Sequence, residues 1–407
     1  MRPVTWRIRT AACVLAAIAA TAALTARQPA ASRPFFPARG EWQKQPPASL
    51  GFDKAKLDEA VAFAIANQSK TDRDLAIATP ESFKNEAPYN NLIGPTQPRA
   101  EANGVVIRHG KVAAEWGDTA RADMTYSVTK TFLSTVVGLA FDRGKIKDVT
   151  DRVAIYMPTG VDLFAPEHNA PITWEHLLRQ TSDWSGTLWG KPDWADRPPR
   201  GQTPDQWEQR EMHAPGTFYK YNDTRVNVLA LSALYVWQKQ LPDVLKESIM
   251  DPIGASNTWH WEAYDNAWVE IDGKKMKSVT GGGHFGGGMF ISAWDMARFG
   301  HLFLHDGKWG DRQLVSEKWI GMAKTPGPAN GTYGYCNWFL NLPTKRPDGT
   351  ETMPFPSAPR GSVTFQGNGA NIVFIDWEHD IVAVVRWIDN NRSMDQFIAR
   401  MIAAITS

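Results

Sequence analysis

The chain has 407 residues with 44 basic and 43 acidic side chains. This near-balance provides no field for nucleic acid or an anionic membrane surface and suits a small neutral partner better. The length accommodates two average domains or one two-lobed unit, with a sizeable core in either case.

Arg2, Arg7 and Arg9 precede an uncharged run of small and apolar residues from Ala11 to Ala26, about sixteen residues long and short of the roughly twenty that span a bilayer. Residues 1–27 therefore read as a signal peptide, with an uncleaved anchor as the alternative. The protein is expected to be exported, periplasmic or secreted, and to touch a membrane only through this segment. Removal of the segment takes Cys13 with it and leaves Cys336 alone, so no disulfide is expected in the mature chain. The neighbours Tyr333, Tyr335, Trp338 and Phe339 mark Cys336 as a packed thiol.

Residues 28–51 are rich in Pro and Ala and read as a linker, followed by a folded domain over 52–407. Leu57, Val61 and Ile65 recur at helical spacing after Asp53, a capping residue. Two β-rich runs, Val105–Arg108 and Val112–Trp116, flank His109-Gly110 and predict a hairpin. A long helix follows Ser127 and ends near Gly144. Residues of about 145–270 show few strand signals and read as a helical lobe. Ser292 with Asp295 makes a Ser-x-x-Asp cap for a helix through Leu302. Ile372–Ile375 and Ile381–Trp387 form a last hairpin, before an amphipathic helix from Ser393 to Ile405. Strands at both chain ends predict an α+β architecture, with one antiparallel sheet flanked by terminal helices and a helical lobe inserted in it.

The glycines of 281–288 contain a G-x-G-x-x-G match, but a helix does not open directly after it. They read as a turn where backbone passes close to a neighbour, not as a nucleotide site. His301 and His305 stand four apart on one predicted helix without a third ligand, so a packed or solvated face is expected. No metal or cofactor is expected.

Ser127-Val128-Thr129-Lys130 is the chain's one Ser-x-x-Lys. On a helix this spacing means about 300° of rotation and about 4.5 Å of rise, which puts hydroxyl and amine on one face, a turn apart. At a helix start, free N–H groups face negative charge developing at an attacked carbonyl. A serine hydroxyl needs a base, and a desolvated lysine that loses its proton near neutral pH can act as one. The pair alone is equally compatible with a capping serine and a surface lysine.

The residues around it change that. Gly144-Lys145-Ile146, Asp151-Arg152-Val153 and Tyr156-Met157-Pro158 follow the nucleophile helix, then Ile172-Thr173 with His176-Leu177-Leu178 and Thr181-Ser182. Pro215-Gly216-Thr217 leads to Tyr221-Asn222-Asp223, Gly286–Ser292 to Asp295 and Arg298, and Gln366-Gly367-Asn368-Gly369 to a strand. In this order the segments resemble the serine β-lactamase-like group, which includes class C β-lactamases, D-alanyl-D-alanine carboxypeptidases, family VIII esterases and nylon-oligomer hydrolases. The likeness covers roughly residues 100–390.

The resemblance implies the β-lactamase/transpeptidase-like fold and a serine hydrolase acting on an ester or amide through an acyl-enzyme on Ser127. Lys130 and Tyr221 would be its proton-transfer partners, with either as the base. Asp223, Gln366, Gly367 and Asn368 would line the substrate, and the N–H groups of Ser127 and Asn368 would form the oxyanion hole. A β-lactamase or a D-alanyl-D-alanine carboxypeptidase is an alternative enzyme, and a catalytically weak binding or sensing module an alternative class. Two positions depart from the pattern. Phe365 stands where β-lactamases have a lysine, and Asp223 where an asparagine is usual. Asp223 accepts but cannot donate hydrogen bonds, so a substrate amide carbonyl would lose a donor there, while a substrate amine, or Lys130 itself, would gain a partner. Together the two changes predict a preference for esters or amides without a carboxylate near Phe365. Trp184, Trp189, Trp194 and Trp207 are candidates for pocket walls or for plain packing. His213 and His284 read as turn residues, and Lys220 as a solvated neighbour of Tyr221.

Overall fold

Alternation along the strand Ile381–Arg386 sets the layering. Val382 and Val384 belong to one apolar cluster, and Ile381, Ala383 and Val385 to another on the opposite face. This is the period-two pattern of a strand buried on both sides. Its neighbour Asn371–Asp376 repeats the division, with Val373 and Ile375 on one face and Ile372 and Phe374 on the other. The computed structural model describes residues 1, 34–199, 201–345 and 349–406. The six-stranded antiparallel sheet runs in the order Trp338–Phe339, Val363–Gly367, Asn371–Asp376, Ile381–Arg386, Asn103–Arg108, Lys111–Trp116. N- and C-terminal segments thus share one sheet, as expected.

The helices Lys54–Ala66 and Asn391–Ala403 supply Leu57, Ala60, Phe397 and Met401 to the cluster on one face. Thr129–Asp142 and Ala293–Leu304 cover the other, where Phe132 and Phe299 stack with ring centroids 3.9 Å apart. Asp53, Ser292 and Asn390 cap three of these helices by accepting from backbone N–H groups. Because Phe132 is fully buried, Phe132→Ala is expected to cost about 3–5 kcal/mol. Urea unfolding measures this, and a loss below about 1 kcal/mol would contradict the packing of the nucleophile helix.

Two expectations are corrected. The lobe reading for residues up to about 270 misses the long strand His260–Ile271, which pairs with Lys274–Val279 and with Gly288–Ile291. With Asp123–Met124 these strands form a second, four-stranded sheet. Its pairing depends on Gly288–Ile291 arriving from outside the lobe, a non-local contact that local pattern does not show.

The linker reading of 28–51 also changes, since the folded unit begins at Phe35. Arg298 donates to the carbonyls of Pro37, Ala38 and Glu41, and His301 to that of Phe35. The Phe36 ring lies edge-on to His301 and His305. The four-apart histidines therefore clasp this segment. Burial pulls His301 down to about 3, so it is a neutral donor. The signal or anchor reading of 1–27 lies outside the described residues apart from Met1.

Between Ala66 and Asn103 the chain makes an excursion that the sequence did not announce. Helix Leu75–Ser82, capped by Asp74, delivers Phe83 and Glu86 toward the second sheet. The excursion is tied down where Ile93 N–H donates to Phe285 and Lys191 Nζ to the carbonyls of Tyr89 and Asn91.

Candidate active site

Ser127 occupies a single tight turn, Tyr126–Val128, that leads directly into the helix Thr129–Asp142. Tyr126 takes a left-handed backbone, φ 47°, which a bulky residue adopts only when its surroundings hold it there. Its hydroxyl bonds Thr79 at 2.6 Å. The end of the strand Val363–Gly367 crosses this turn so closely that a Cβ on Gly367 would collide with the Thr125 carbonyl and approach the Ser127 nitrogen at 3.1 Å. Only glycine fits there. Gln366, Gly367 and Asn368 form one rim of a cleft of about 240 Å³ that opens on Ser127 and Tyr221.

Helix spacing brings Lys130 Nζ to 2.7 Å from Ser127 Oγ. The same ammonium reaches Asp223 Oδ1 at 2.5 Å, and both side chains are 1% exposed. Asp223 opens the helix Asp223–Trp237, with Asn222 as its cap, and the helix N-terminus favours a carboxylate at that position. Gly282 is the floor, since a Cβ there would strike both Asp223 and Lys130 Nζ. The glycine cluster thus permits close backbone approach, as read. All seven residues singled out in the sequence converge here, with Lys130 and Asp223 directly behind the cleft.

The protonation pattern corrects one expectation. Burial pulls the Lys130 amine down, but Asp223 and then Tyr221 more than offset it and hold the ammonium above its ordinary value. A lysine made neutral by desolvation alone is not what the resting site contains, because the carboxylate at 223 is its partner. Burial pushes the Tyr221 phenol up, with Lys130 opposing and Asp223 adding to it. The Tyr221 ring stacks on Trp338 at 5.5 Å and carries the Lys130 and Arg197 cations at 4.9 and 5.0 Å from its centroid.

Behind the cleft lies a charge cluster that sequence reasoning missed. Arg197 Nη1 forms an ion pair with Asp223 Oδ2 at 2.7 Å and donates a hydrogen bond to Asp196, while Asp196 accepts the backbone N–H of Asp223. His284 bonds Asp223 at 3.2 Å and Glu86 at 2.7 Å through its two ring nitrogens, under the Phe83 ring at 3.7 Å. The turn-residue reading of His284 is therefore corrected. Burial and Arg197 pull it down, but Asp196, Glu86 and Asp223 leave it above its ordinary value. Burial pushes Glu86 up, and His284 opposes this.

Glu86, Asp196 and His284 also bring three potential metal-ligand atoms within 4.8 Å of one another. Both imidazole nitrogens are already occupied by carboxylates, and Lys130 and Arg197 balance Asp223 and Asp196. A divalent ion would have to displace the imidazole proton beside a guanidinium, so the donor set fits ion pairing better.

Lys220 is not solvated as expected. It donates to the Arg197 carbonyl and lies over Trp207, pinning the loop that carries Arg197. Trp184 is core, with its indole N–H on the Leu163 carbonyl, and Trp194 meets Tyr89 edge-on. Trp338, not any of the four lobe tryptophans, lines the cleft. His213 stacks on Phe218 away from it. Cys336 is buried with Sγ against the Leu178 carbonyl, and burial pushes its thiol up to about 12. Phe365 packs in the core on Phe299 and Phe303, which leaves no cation at that position.

A Ser-x-x-Lys helix under an antiparallel sheet, with a cleft where sheet and lobe meet, defines the β-lactamase/transpeptidase class of serine hydrolases. Residues 97–404 match the family model described as Beta-lactamase, and the chain belongs to that family. Among solved structures, the fold is similar to a putative β-lactamase from Bacteroides dorei DSM 17855, with TM-score 0.55, 14% identity, and 87% of this chain and 99% of that one covered. It is also similar to EstCE1, a hydrolase with promiscuous acyltransferase activity, with TM-score 0.53, 13% identity, and coverage of 87% and 99%. A third similar structure is a putative 6-aminohexanoate-dimer hydrolase from Bacillus anthracis, with TM-score 0.51, 17% identity, and coverage of 75% and 78%. At these identities the likeness concerns the fold. Phe83 and Glu86 lie before the span that the family model matches.

Proposed function

We propose that the protein hydrolyses a small ester or amide through an acyl-enzyme on Ser127. The observation that carries this reading is the Ser127–Lys130 contact of 2.7 Å at the mouth of a cleft, backed by Asp223 and flanked by Tyr221. In the form of the enzyme whose Lys130–Tyr221 pair has lost one proton to solvent, Ser127 Oγ attacks the substrate carbonyl carbon while its proton passes to that pair. The N–H groups of Ser127 and Asn368 hold the oxygen that gains the charge. The pair returns the proton to the departing alcohol or amine, and water then attacks the acyl-enzyme to release the acid. Lys130 and Tyr221 titrate as a unit in this scheme. Phe365 is buried in the core and lines no part of the cleft, so the strand Val363–Gly367 offers no cation there, and substrates without a carboxylate at that strand are favoured. A rate with a chromogenic cephalosporin equal to that with simple esters would overturn this preference.

Intact mass after exposure to a fluorophosphonate probe, with peptide mapping, tests the nucleophile. One adduct on the Ser127 peptide supports the hydrolase. A second reading, a catalytically weak binding module, is favoured by one observation, namely that Asp223 holds Lys130 charged. Folded protein that takes no adduct would select it.

Since the amine and the phenol both sit above their usual values, kcat/KM for a neutral ester is expected to climb from pH 7 to beyond pH 9, with a slope of about one. Asp223→Asn removes the largest influence holding Lys130 charged and is expected to move this limb toward lower pH. An unmoved limb would assign it to another group. The basic residues Arg2, Arg7 and Arg9 before the uncharged run Ala11 to Ala26 support the further proposal that the enzyme is exported. N-terminal sequencing of protein from cells expressing the whole chain checks this, with cleavage near Ala26 expected and an intact Met1 contradicting a cleaved signal.

A further inference from the structure

Among the described residues that line the cleft, Arg197 is the charged side chain that opens onto it. Arg197 keeps 28% of its side chain exposed, whereas Asp196 and Asp223 are 0% and 1% exposed and Glu86 is 2% exposed. His284 lines the same wall beneath Phe83. The acids thus form a layer behind the wall, and a guanidinium stands in front of them. The cluster is neutral in sum, yet it turns the positive end of a charge separation toward the substrate.

Arg197 is also held ready. Its guanidinium lies over the Phe83 ring at 5.3 Å and over Tyr221 at 5.0 Å. Its backbone takes φ 54°, a conformation that a non-glycine residue keeps only when its surroundings enforce it. The enforcing contacts are the Arg197 N–H on Glu86 and Lys220 on the Arg197 carbonyl. Both carboxylate partners are taken by Nη1. Among the described residues no protein acceptor meets Nε or Nη2, and an arginine has five donors arranged to grip a carboxylate.

We propose that Arg197 reads a carboxylate on the substrate, at the wall opposite the strand Val363–Gly367, while Phe83, Tyr221 and Trp338 cover the apolar part. This rests on the hydrolase reading and narrows it to an anionic ester or amide. The anion site is linked to Ser127 through the hydrogen bonds of Lys130 to Ser127 and to Asp223 and the Asp223–Arg197 ion pair.

Ser127→Ala protein, which leaves esters intact, allows binding to be measured without turnover. Calorimetric titration compares 4-nitrophenyl hydrogen glutarate, with the carboxylate on the acyl half, and 4-acetoxybenzoate, with it on the leaving half, each against its neutral methyl ester. One of the two anions is expected to bind at least about tenfold tighter than its methyl ester, and which one does so locates the subsite. The margin should shrink as salt rises. Arg197→Gln in the same background should bring it within about threefold, and Arg197→Lys should restore part of it. Equal binding of anion and methyl ester, no measurable binding of either anion at millimolar concentration, or a preference that survives Arg197→Gln overturns the proposal. Turnover of methyl esters by the unsubstituted enzyme without an anion preference would sink this inference and leave the hydrolase standing. An anion preference in protein that takes no fluorophosphonate adduct would do the reverse.

Discussion

Ser127→Ala is expected to lower turnover of any accepted ester by about 10⁴-fold or more and to abolish the fluorophosphonate adduct. The loss is large because the proposed route has no second nucleophile. Ser127 is the hydroxyl that Lys130 touches, and the neighbouring threonines are committed elsewhere. Thr129 Oγ1 accepts the Met289 N–H, and Thr131 Oγ1 donates to the Cys336 carbonyl. What remains should be the contribution of the cleft itself to an attacking water. The substitution removes one oxygen at the cleft mouth, so the unfolding midpoint should stay close to that of the parent. Retention of more than about 1% of kcat/KM in folded protein would show that Ser127 is not the nucleophile.

Lys130→Met is expected to cost about 10³-fold in kcat and to weaken the fold, and the two effects have separable origins. The first follows from loss of the group that takes and returns the serine proton. The second arises because Asp223, 1% exposed, loses its nearest cation, and breaking a buried pair from one side costs about 3–5 kcal/mol. Arg197 and His284 still touch this carboxylate, which places the expectation at the lower end.

Adding Asp223→Asn to Lys130→Met removes the stranded charge and should recover much of the stability with none of the activity. Denaturant midpoints and ester kinetics on the two variants measure this, and full recovery of activity would remove Lys130 from the mechanism. The pH dependence of stability follows the same pair. The depressed Asp223 carboxyl contributes stability above its unfolded value near 4 and loses it as pH falls through the lower folded value. The raised Lys130 amine contributes below about 10.4 and loses it as pH rises through the folded value.

What the sequence determined by itself is what short-range geometry determines. Helical spacing puts Ser127 and Lys130 on one face, turn residues mark the hairpins at both ends of the sheet, and Asp53 and Ser292 cap the helices that follow them. The family resemblance added Tyr221, Asp223 and the Gln366–Asn368 rim, because those segments are recognisable where they stand. The Asp223 departure offered a carboxylate partner for Lys130, but only the tertiary structure decided that the two pair and what surrounds them. Lys130 meets Asp223 across 93 residues, and His284 meets Glu86 across 198. No local pattern announces Arg197, which the Pro-rich loop delivers only when Lys220 and Glu86 hold it. A lysine read in isolation looks like a base that burial has neutralised. Beside a buried carboxylate it is an ammonium, because in a low-dielectric interior the charged state of a group is set by its nearest partner more than by its own residue type.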